Sequence, residues 1–186
     1  MRCFIAVGIS DAVREALAGI AGRLKPLIAG ARWVPPESMH MTLRFLGEID
    51  DETAGKVRDA LAAVPGAPFQ ARFSGLGAFP SEERAAVLWA GVAGGSGELV
   101  SLAARVTEVT KGFGVKSDEK PFIPHLTLAR IRPPAGLERL EVFRELKETG
   151  IGMSEVGGFL LMRSILRPGG PVYETIGEYG LGGGRA

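Results

Sequence analysis

The sequence predicts an α+β fold of two similar lobes around a central cleft. Patterns typical of strands and of amphipathic helices follow one another in the same order twice within 186 residues. The chain's two histidines begin matching motifs 85 positions apart, His40-Met41-Thr42-Leu43 and His125-Leu126-Thr127-Leu128. With 46% hydrophobic residues, the chain can also bury a sizeable core. We predict one bilobal domain over residues 1–186, built from duplicated strand-helix-strand-helix-strand units with mainly antiparallel sheets.

Each element of the first repeat, approximately residues 1–84, has a local signal. Apolar runs and period-two alternation predict the strands, whereas start residues and helically spaced apolar residues predict the helices. The elements are a strand at 3–9, a helix from Ser10-Asp11 to about Lys25-Pro26, a strand at 39–47, a helix from Asp50 to Pro65-Gly66, and a strand at 69–79. Alternation within 39–47 predicts that Arg44 lies on the histidine face and Phe45 on the apolar face.

The second repeat, approximately residues 85–180, follows the same order. Its elements are a strand at 85–92, a turn at Gly94-Gly95-Ser96-Gly97, a helix carrying Leu99, Leu102, Val106 and Val109, a strand at 123–131, a helix at 137–147, a strand at 155–166 and a strand at 171–179. We interpret the glycine-rich turn as a connector, because no Walker lysine or dinucleotide-binding pattern accompanies it. The glycine-rich residues 181–186 predict a loose tail.

The two motifs place polar side chains together on one face of each strand. Side chains two residues apart in a strand project from the same face, so His40 points with Thr42, and His125 with Thr127. Strict alternation puts Arg130 on the opposite, anchoring face. Arg130 therefore reaches a site beside the histidines only if the strand ends or bulges before it.

Two facing histidines and two hydroxyls predict acid/base chemistry at phosphorus. The unperturbed pKa of histidine lies near neutral pH, and an in-line displacement needs a base behind the attacking water and an acid behind the leaving oxygen. The hydroxyls can donate to the phosphoryl oxygens. A lone histidine of this type is more consistent with a hydrogen-bonded structural residue, but the matched pair favours a catalytic site.

Composition excludes several other classes of function. The 22 basic and 21 acidic residues give no global positive field for long nucleic acid, so any nucleic-acid contact is expected to be local. Cys3 is the single cysteine, which excludes an internal disulfide and fits a reducing cytoplasm. The apolar run at 3–9 is too short to span a membrane.

We expect no metal and no cofactor, because neither histidine has a recognised set of partner ligands. We also expect a monomer.

Longer stretches around both motifs resemble one known group of proteins. They are Arg2-Cys3-Phe4-Ile5-Ala6-Val7, Arg32-Trp33-Val34 leading to His40-Met41-Thr42-Leu43-Arg44-Phe45-Leu46-Gly47, Val87-Leu88-Trp89, and Pro124-His125-Leu126-Thr127-Leu128-Ala129-Arg130. The chain resembles the 2H phosphoesterase superfamily, defined by two HxT/S motifs. Within it, the chain is similar to the bacterial and archaeal RNA 2',3'-cyclic phosphodiesterases, formerly described as 2'-5' RNA ligases. The resemblance covers nearly the whole chain.

The resemblance implies a metal-independent enzyme that opens a terminal ribose 2',3'-cyclic phosphate of RNA to a 2'-phosphomonoester. By the family pattern, His40 is the general acid at the leaving 3'-oxygen and His125 is the general base for water. Thr42 and Thr127 hold the phosphate, and the pattern also favours Arg130 as a phosphate contact. Reversible joining of 2'-5' RNA ends is associated with the family and follows the same path, with a ribose hydroxyl in place of water.

Substrate contacts outside the motifs stay open at this stage. Trp33 and Phe45 are candidates for stacking on a base, although packing in the core or at its rim is the competing interpretation. Near the C-terminus, Ser164, Leu166 and Tyr173 resemble the family pattern, whereas the residues leading into Ser164 depart from it.

Two other functions remain as alternatives. One is a phosphodiesterase for a small cyclic nucleotide or an ADP-ribose cyclic phosphate, and the other is a non-catalytic module that binds RNA ends or nucleotides. The basic residues near the motifs do not decide between RNA and a small substrate. They are Arg44, Arg130, Arg132, Lys116 and Lys120.

Overall fold

A computed structural model of the chain describes residues 1–113, 115, 121–168 and 170–182, and it confirms the α+β class. The strands are β1 (Arg2–Val7), β2 (Ala31–Trp33), β3 (Met41–Glu48), β4 (Phe69–Phe79), β5 (Ala85–Gly94), β6 (His125–Ala135), β7 (Gly150–Val156), β8 (Gly158–Arg167) and β9 (Gly170–Gly180). The helices are α1 (Asp11–Leu24), α2 (Asp51–Leu61), α3 (Ser96–Val109) and α4 (Glu141–Leu146). Lys116 and Lys120 lie outside the described residues.

Local sequence signals fix where the first three helices begin. The side chain of Ser10 accepts a hydrogen bond from the backbone of α1, and Asp50 does the same for α2. Gly95 precedes α3 with φ +76°, and a Cβ there would collide with the backbone of β4. Only glycine fits at that position, because its backbone is left-handed and its surroundings leave no space for a side chain.

The strands form two antiparallel sheets, one in each lobe. The four-stranded sheet has the order β3-β1-β8-β9, and the five-stranded sheet has the order β2-β6-β5-β4-β7. Both sheets combine strands from the two halves of the sequence: β4 pairs with β5, and β8 pairs with β1. Neither half of the chain therefore builds a lobe from its own strands alone.

Three elements differ from the sequence prediction. The segment 155–166 is not one strand, because the chain leaves the five-stranded sheet after β7 and enters the four-stranded sheet with β8. Gly158 stands at this crossing, where a Cβ would lie 2.5 Å from the carbonyl oxygen of Tyr179. The helix predicted at 137–147 is shortened to α4, since the backbone of Leu137 is held by a hydrogen bond to Glu82. The short edge strand β2 was not predicted.

The first two residues of the predicted loose tail make backbone hydrogen bonds, and residues 183–186 lie outside the described part of the chain. Leu181 is buried, and its backbone N–H donates to the carbonyl of Gly157 at 2.8 Å. The next residue, Gly182, donates to Gly66 at 2.8 Å. These two bonds attach the end of β9 to the β7–β8 connection and to the segment between α2 and β4. Within the described ranges, no helix has the length and apolar composition required to cross a membrane.

Candidate active site

The two histidines occupy equivalent places at the start of two strands that meet. His40 immediately precedes β3, and His125 is the first residue of β6. These two strands belong to different sheets and contact one another. Thr42 pairs with Ala6 of β1, and Thr127 pairs with Trp89 of β5. The fold thus places each motif at the beginning of one of two strands that contact one another across the two sheets.

The same backbone hydrogen bond orients each imidazole. His40 Nδ1–H donates to the carbonyl of Ser38 at 2.8 Å, and His125 Nδ1–H donates to the carbonyl of Ile123 at 2.7 Å. A carbonyl oxygen can only accept, so the proton of each neutral ring is on Nδ1. The Nε2 atom of each ring is therefore available to accept a proton when neutral and to donate one when charged.

A β-bulge interrupts both motif strands at the same position. On β3, Thr42 pairs with Ala6 and Arg44 with Ile5, which leaves Leu43 without a partner opposite it. On β6, the register shifts in the same way at Leu128. A single extra residue exchanges the two faces of the strand beyond it. The side chains that follow each bulge therefore point opposite to the predicted direction.

The bulge in β3 corrects the prediction for Arg44 and Phe45. Arg44 is 3% exposed and lies on the core face, whereas Phe45 is 53% exposed and lies opposite Phe4 on the histidine face. The Arg44 guanidinium donates to the carbonyl of Thr107 and to the hydroxyl of Thr110. Arg44 thus joins β3 to the end of α3 and does not enter the cleft.

The bulge in β6 moves Arg130 to the face that carries the second histidine. Beyond the bulge, Arg130 pairs with Val87, which shares a face with Trp89 and hence with Thr127. Its side chain is exposed. The condition under which Arg130 can reach a site beside the histidines is therefore present in the structure.

Aromatic rings surround His40. Phe4 stacks on the imidazole with ring centroids 4.8 Å apart, and Tyr173 meets it edge-on at 5.1 Å. Burial among these rings lowers the pKa of His40, while the hydrogen bond to Ser38 opposes that shift. His40 is therefore neutral over a wider pH range than an exposed histidine.

A second aromatic pair borders His125. Phe79 meets the imidazole edge-on at 5.2 Å, and Trp89 lies 6.2 Å from it between ring centroids. Trp89 occupies the space over Gly77, where any Cβ would collide with the indole ring. These two rings and the glycine come from β4 and β5, so the sheet shapes this side of the cleft.

Tyr173 connects the two halves of the site electrostatically. Burial raises the pKa of Tyr173, and the guanidiniums of Arg130 and Arg2 act against this shift. Arg130 belongs to the five-stranded sheet, whereas Tyr173 belongs to the four-stranded sheet and contacts His40. Arg130, Tyr173 and His40 therefore share one neighbourhood across the cleft.

Sequence reasoning missed most of the aromatic residues around the site. Phe4, Phe79 and Trp89 come from different strands, and no spacing in the sequence connects them with the histidines. Tyr173 was noted only through the family pattern. The structure also packs Trp33 against the core, opposite Ala129, so Trp33 is not proposed as a substrate contact. Among the described residues, no three potential metal-ligating side chains cluster together.

Comparison with known proteins identifies the family. The model of the LigT-like phosphoesterase family matches residues 7–89 and 92–173. The chain belongs to this family. The two matched segments of this LigT-like phosphoesterase begin 85 residues apart, the same separation as the two histidines.

Several relatives match almost the whole of this LigT-like phosphoesterase. The RNA 2',3'-cyclic phosphodiesterase of Archaeoglobus fulgidus is 38% identical over 176 residues, covering 95% of this chain and 98% of the relative. The protein of the same name from Thermus thermophilus is 38% identical over 194 residues, covering 98% and 91%.

Solved structures show the same fold. The crystal structure of the Thermus thermophilus protein TT0787 has a TM-score of 0.80 at 34% identity, covering 97% of each chain. Escherichia coli LigT complexed with 3'-AMP has a TM-score of 0.82 at 23% identity and covers 98% of each chain. The second likeness establishes the architecture alone.

Proposed function

We propose that this protein hydrolyses the terminal 2',3'-cyclic phosphate of RNA to a 2'-phosphomonoester, as an RNA 2',3'-cyclic 3'-phosphodiesterase. One observation carries the proposal: two imidazoles with the same fixed tautomer stand at equivalent positions of two strands that meet between the lobes. The names of the relatives that are 38% identical support RNA as the substrate class.

The reaction uses the Nε2 atom that the Nδ1 hydrogen bond leaves available on each ring. His125 Nε2 takes a proton from water as the water oxygen attacks phosphorus, and a new P–O bond forms. The bond between phosphorus and the ribose 3'-oxygen breaks in line with the attack, and protonated His40 gives its Nε2 proton to that oxygen. The products are a 2'-phosphomonoester and a free 3'-hydroxyl. The next cycle begins after the proton returns from His125 to solvent and His40 takes up another.

Three side chains are proposed to hold the phosphate. Thr42 and Thr127 share a strand face with their histidines, so their hydroxyls can donate to the non-bridging oxygens. Arg130 supplies a positive charge and paired donors on the same side of the cleft. These groups stabilise the charge that shifts onto the phosphoryl oxygens as the 3'-oxygen departs.

The surroundings of His40 suit the role of acid. A lowered pKa makes the imidazolium a stronger proton donor, although it also reduces the protonated fraction in the free protein. The negative charge of the cyclic phosphate favours the protonated ring once substrate is bound. The free protein can thus keep His40 largely neutral, while the substrate itself promotes the charged form that acts as acid.

Phe45 is proposed as a stacking surface for the terminal base. Its ring is 53% exposed and lies 6.2 Å from that of Phe4, which stacks on His40. Base–aromatic stacking contributes about 1 to 3 kcal/mol in single-strand binding. The position fits because Phe4 contacts both the imidazole of His40 and the ring of Phe45.

The remaining proposals concern the location of the protein, its oligomeric state and the joining of RNA ends. We propose a cytoplasmic monomer, because Cys3 is a buried free thiol and one chain supplies both histidines. We also propose that a ribose hydroxyl can replace water in the same displacement at phosphorus, which would join RNA ends through a 2'-5' linkage.

The proposal is tested with a short RNA that ends in a 2',3'-cyclic phosphate, incubated with and without EDTA. We expect equal rates in both conditions and a product with its phosphate on the 2'-oxygen, identified by chromatography against both isomers. A 3'-phosphate product or a loss of activity with EDTA would contradict the mechanism. Tight binding without turnover would instead favour a binding module.

A further inference from the structure

Three arginines gather on one face at the edge of the five-stranded sheet. Arg32 of β2 pairs directly with Arg130 of β6, and Arg132 follows two residues later on β6. All three side chains are exposed. The three arginines therefore form a positive patch of neighbouring strand positions, which we call the β2–β6 arginine patch.

The patch lies on the same face of the sheet as the second histidine. Directly opposed residues in an antiparallel pair project from one face, so Arg32 projects with Arg130. Their neighbours Trp33 and Ala129 form the next pair and pack toward the core. The patch thus begins at Arg130, which shares a sheet face with Thr127, and Arg130 also acts electrostatically on Tyr173 beside His40.

Nothing in the described part of the chain neutralises this patch. Among the ion pairs of residues 1–113, 115, 121–168 and 170–182, none includes Arg32, Arg130 or Arg132. Like charges placed directly opposite each other in a sheet are destabilising. The net charge of the whole chain is only +1, so the patch is a local concentration of charge. An anion bound between the guanidiniums would relieve their repulsion.

We propose that Arg32 and Arg132, the two arginines beside Arg130, bind the phosphodiester immediately upstream of the reacting end of an RNA strand. This inference rests on the proposed function, which places the terminal cyclic phosphate between His40 and His125. Residues two apart on a strand are about 6.6 Å apart, so Arg132 extends the patch away from the histidines. Guanidiniums bind phosphate with paired hydrogen bonds, and the arginines of this patch are exposed to solvent.

The patch would make the enzyme prefer an oligonucleotide over a mononucleotide. A nucleoside 2',3'-cyclic phosphate with a free 5'-hydroxyl fills only the site between the histidines. A trinucleotide with the same terminal nucleoside also presents an upstream phosphodiester to the patch. The ratio of kcat/KM for these two substrates therefore measures the contribution of the patch.

The test compares Arg32→Gln and Arg132→Gln with the wild type on adenosine 2',3'-cyclic phosphate and on a trinucleotide ending in the same group. We expect each variant to reduce the trinucleotide-to-mononucleotide ratio of kcat/KM by about tenfold, from the loss of one charge-assisted contact. Arg32→Lys is expected to restore part of the ratio. Arg72→Gln is the matched control, because Arg72 is an exposed arginine on β4 of the same sheet and lacks a carboxylate partner within the described residues.

A salt titration gives an independent measure. For each lost phosphate contact, we expect the slope of log KM for the trinucleotide against log salt to decrease by about 0.7. An unchanged ratio in both variants, or an equal change in Arg72→Gln, would overturn the inference while the proposed function stands. A wild type that hydrolyses neither substrate would overturn both.

Discussion

At the scale of single residues, one unpaired leucine in each motif decides which side chains reach the cleft. Leu43 and Leu128 are the bulged positions, and the residues two places after them face the histidine side. Those residues are Phe45 and Arg130, an aromatic ring in one lobe and a cation in the other. Two equivalent strand positions therefore carry side chains suited to different parts of a nucleotide.

The histidines themselves carry the first prediction. We expect His40→Asn and His125→Asn each to reduce kcat by about 10² to 10⁴, the range for loss of a general acid or base. Each substitution retains a polar group for the backbone carbonyl, so the fold is expected to persist. Rates are measured on a cyclic phosphate, and circular dichroism verifies folding. Near wild-type turnover in either variant would rule out the two-histidine mechanism.

The ionisation of His40 can be measured directly, because the chain has only two histidines. Burial lowers its pKa from the ordinary value of 6.5, so we expect NMR to show His40 titrating below 6.5 in the free protein. Adding adenosine 2'-phosphate is expected to raise that pKa, since the anion favours the charged ring. The His40→Asn variant assigns the signal. A free-protein pKa at or above 6.5 would contradict the prediction.

The same shift predicts a pH dependence of stability. The folded chain holds the His40 proton less tightly than the unfolded chain, so protonation favours unfolding. The stability contributed by this group is complete above pH 6.5 and declines as the pH falls from 6.5 through the lower folded pKa. Urea denaturation at pH 8 and at pH 5 measures this effect. Between these two values, the free energy of unfolding is expected to fall less for His40→Asn than for the wild type.

At the scale of elements, the bulge in β3 gives neighbouring residues opposite roles. Arg44 is buried and joins β3 to the end of α3, where a cation also interacts favourably with the helix dipole. Phe45 is exposed beside Phe4. We expect Arg44→Met to lower the free energy of unfolding by about 2 kcal/mol, because Thr107 and Thr110 lose a charged donor.

Phe45→Ala is the matched variant for this element. It is expected to leave the free energy of unfolding nearly unchanged and to raise KM for cyclic phosphates by about tenfold through lost stacking. Urea unfolding and steady-state kinetics on both variants distinguish the two roles. If Phe45→Ala instead destabilised the protein more than Arg44→Met, the result would contradict the assignment of Arg44 to the core face and of Phe45 to the exposed face.

The turn that carries Ser38 depends on helix α1. The guanidinium of Arg14 donates to the carbonyls of Pro36, Met39 and Ile9 around this turn. Ser38 accepts the bond that fixes the tautomer of His40. We therefore expect Arg14→Gln to lower kcat with little change in KM and to shift the NMR titration of His40. A loss of activity with an unchanged His40 titration would indicate a general structural effect instead.

At the scale of the whole molecule, the two halves of the chain depend on each other. β1 and β3 from the first half lie in one sheet with β8 and β9, while β4 lies in the other sheet between β5 and β7. A fragment of residues 1–84 would leave β4 and β1 without partners from the second half. We expect this fragment and residues 85–186 to be unfolded when separate, as measured by circular dichroism. Independent folding of either fragment would contradict this dependence.

The repeated motif and the alternation of polar and apolar residues within it were enough to predict the α+β class. They also predict that each histidine shares a strand face with its threonine. These features are local, because they follow from strand periodicity and from helix-start residues such as Ser10 and Asp50. The sequence did not show that the halves exchange strands. The pairing of β4 with β5 and of β8 with β1 is decided by contacts between distant parts of the fold.

The sequence by itself therefore determined most of the elements and the residue types of the candidate site: two histidines, two hydroxyls and the strands that carry them. Only the tertiary structure decided which face of each strand becomes the cleft beyond the motif. The physical reason is that a strand's alternation holds only while its register holds, and register is set by the neighbouring strand. The bulges at Leu43 and Leu128 exist only in the pairing with β1 and β5, and they move Phe45 and Arg130 to the histidine face.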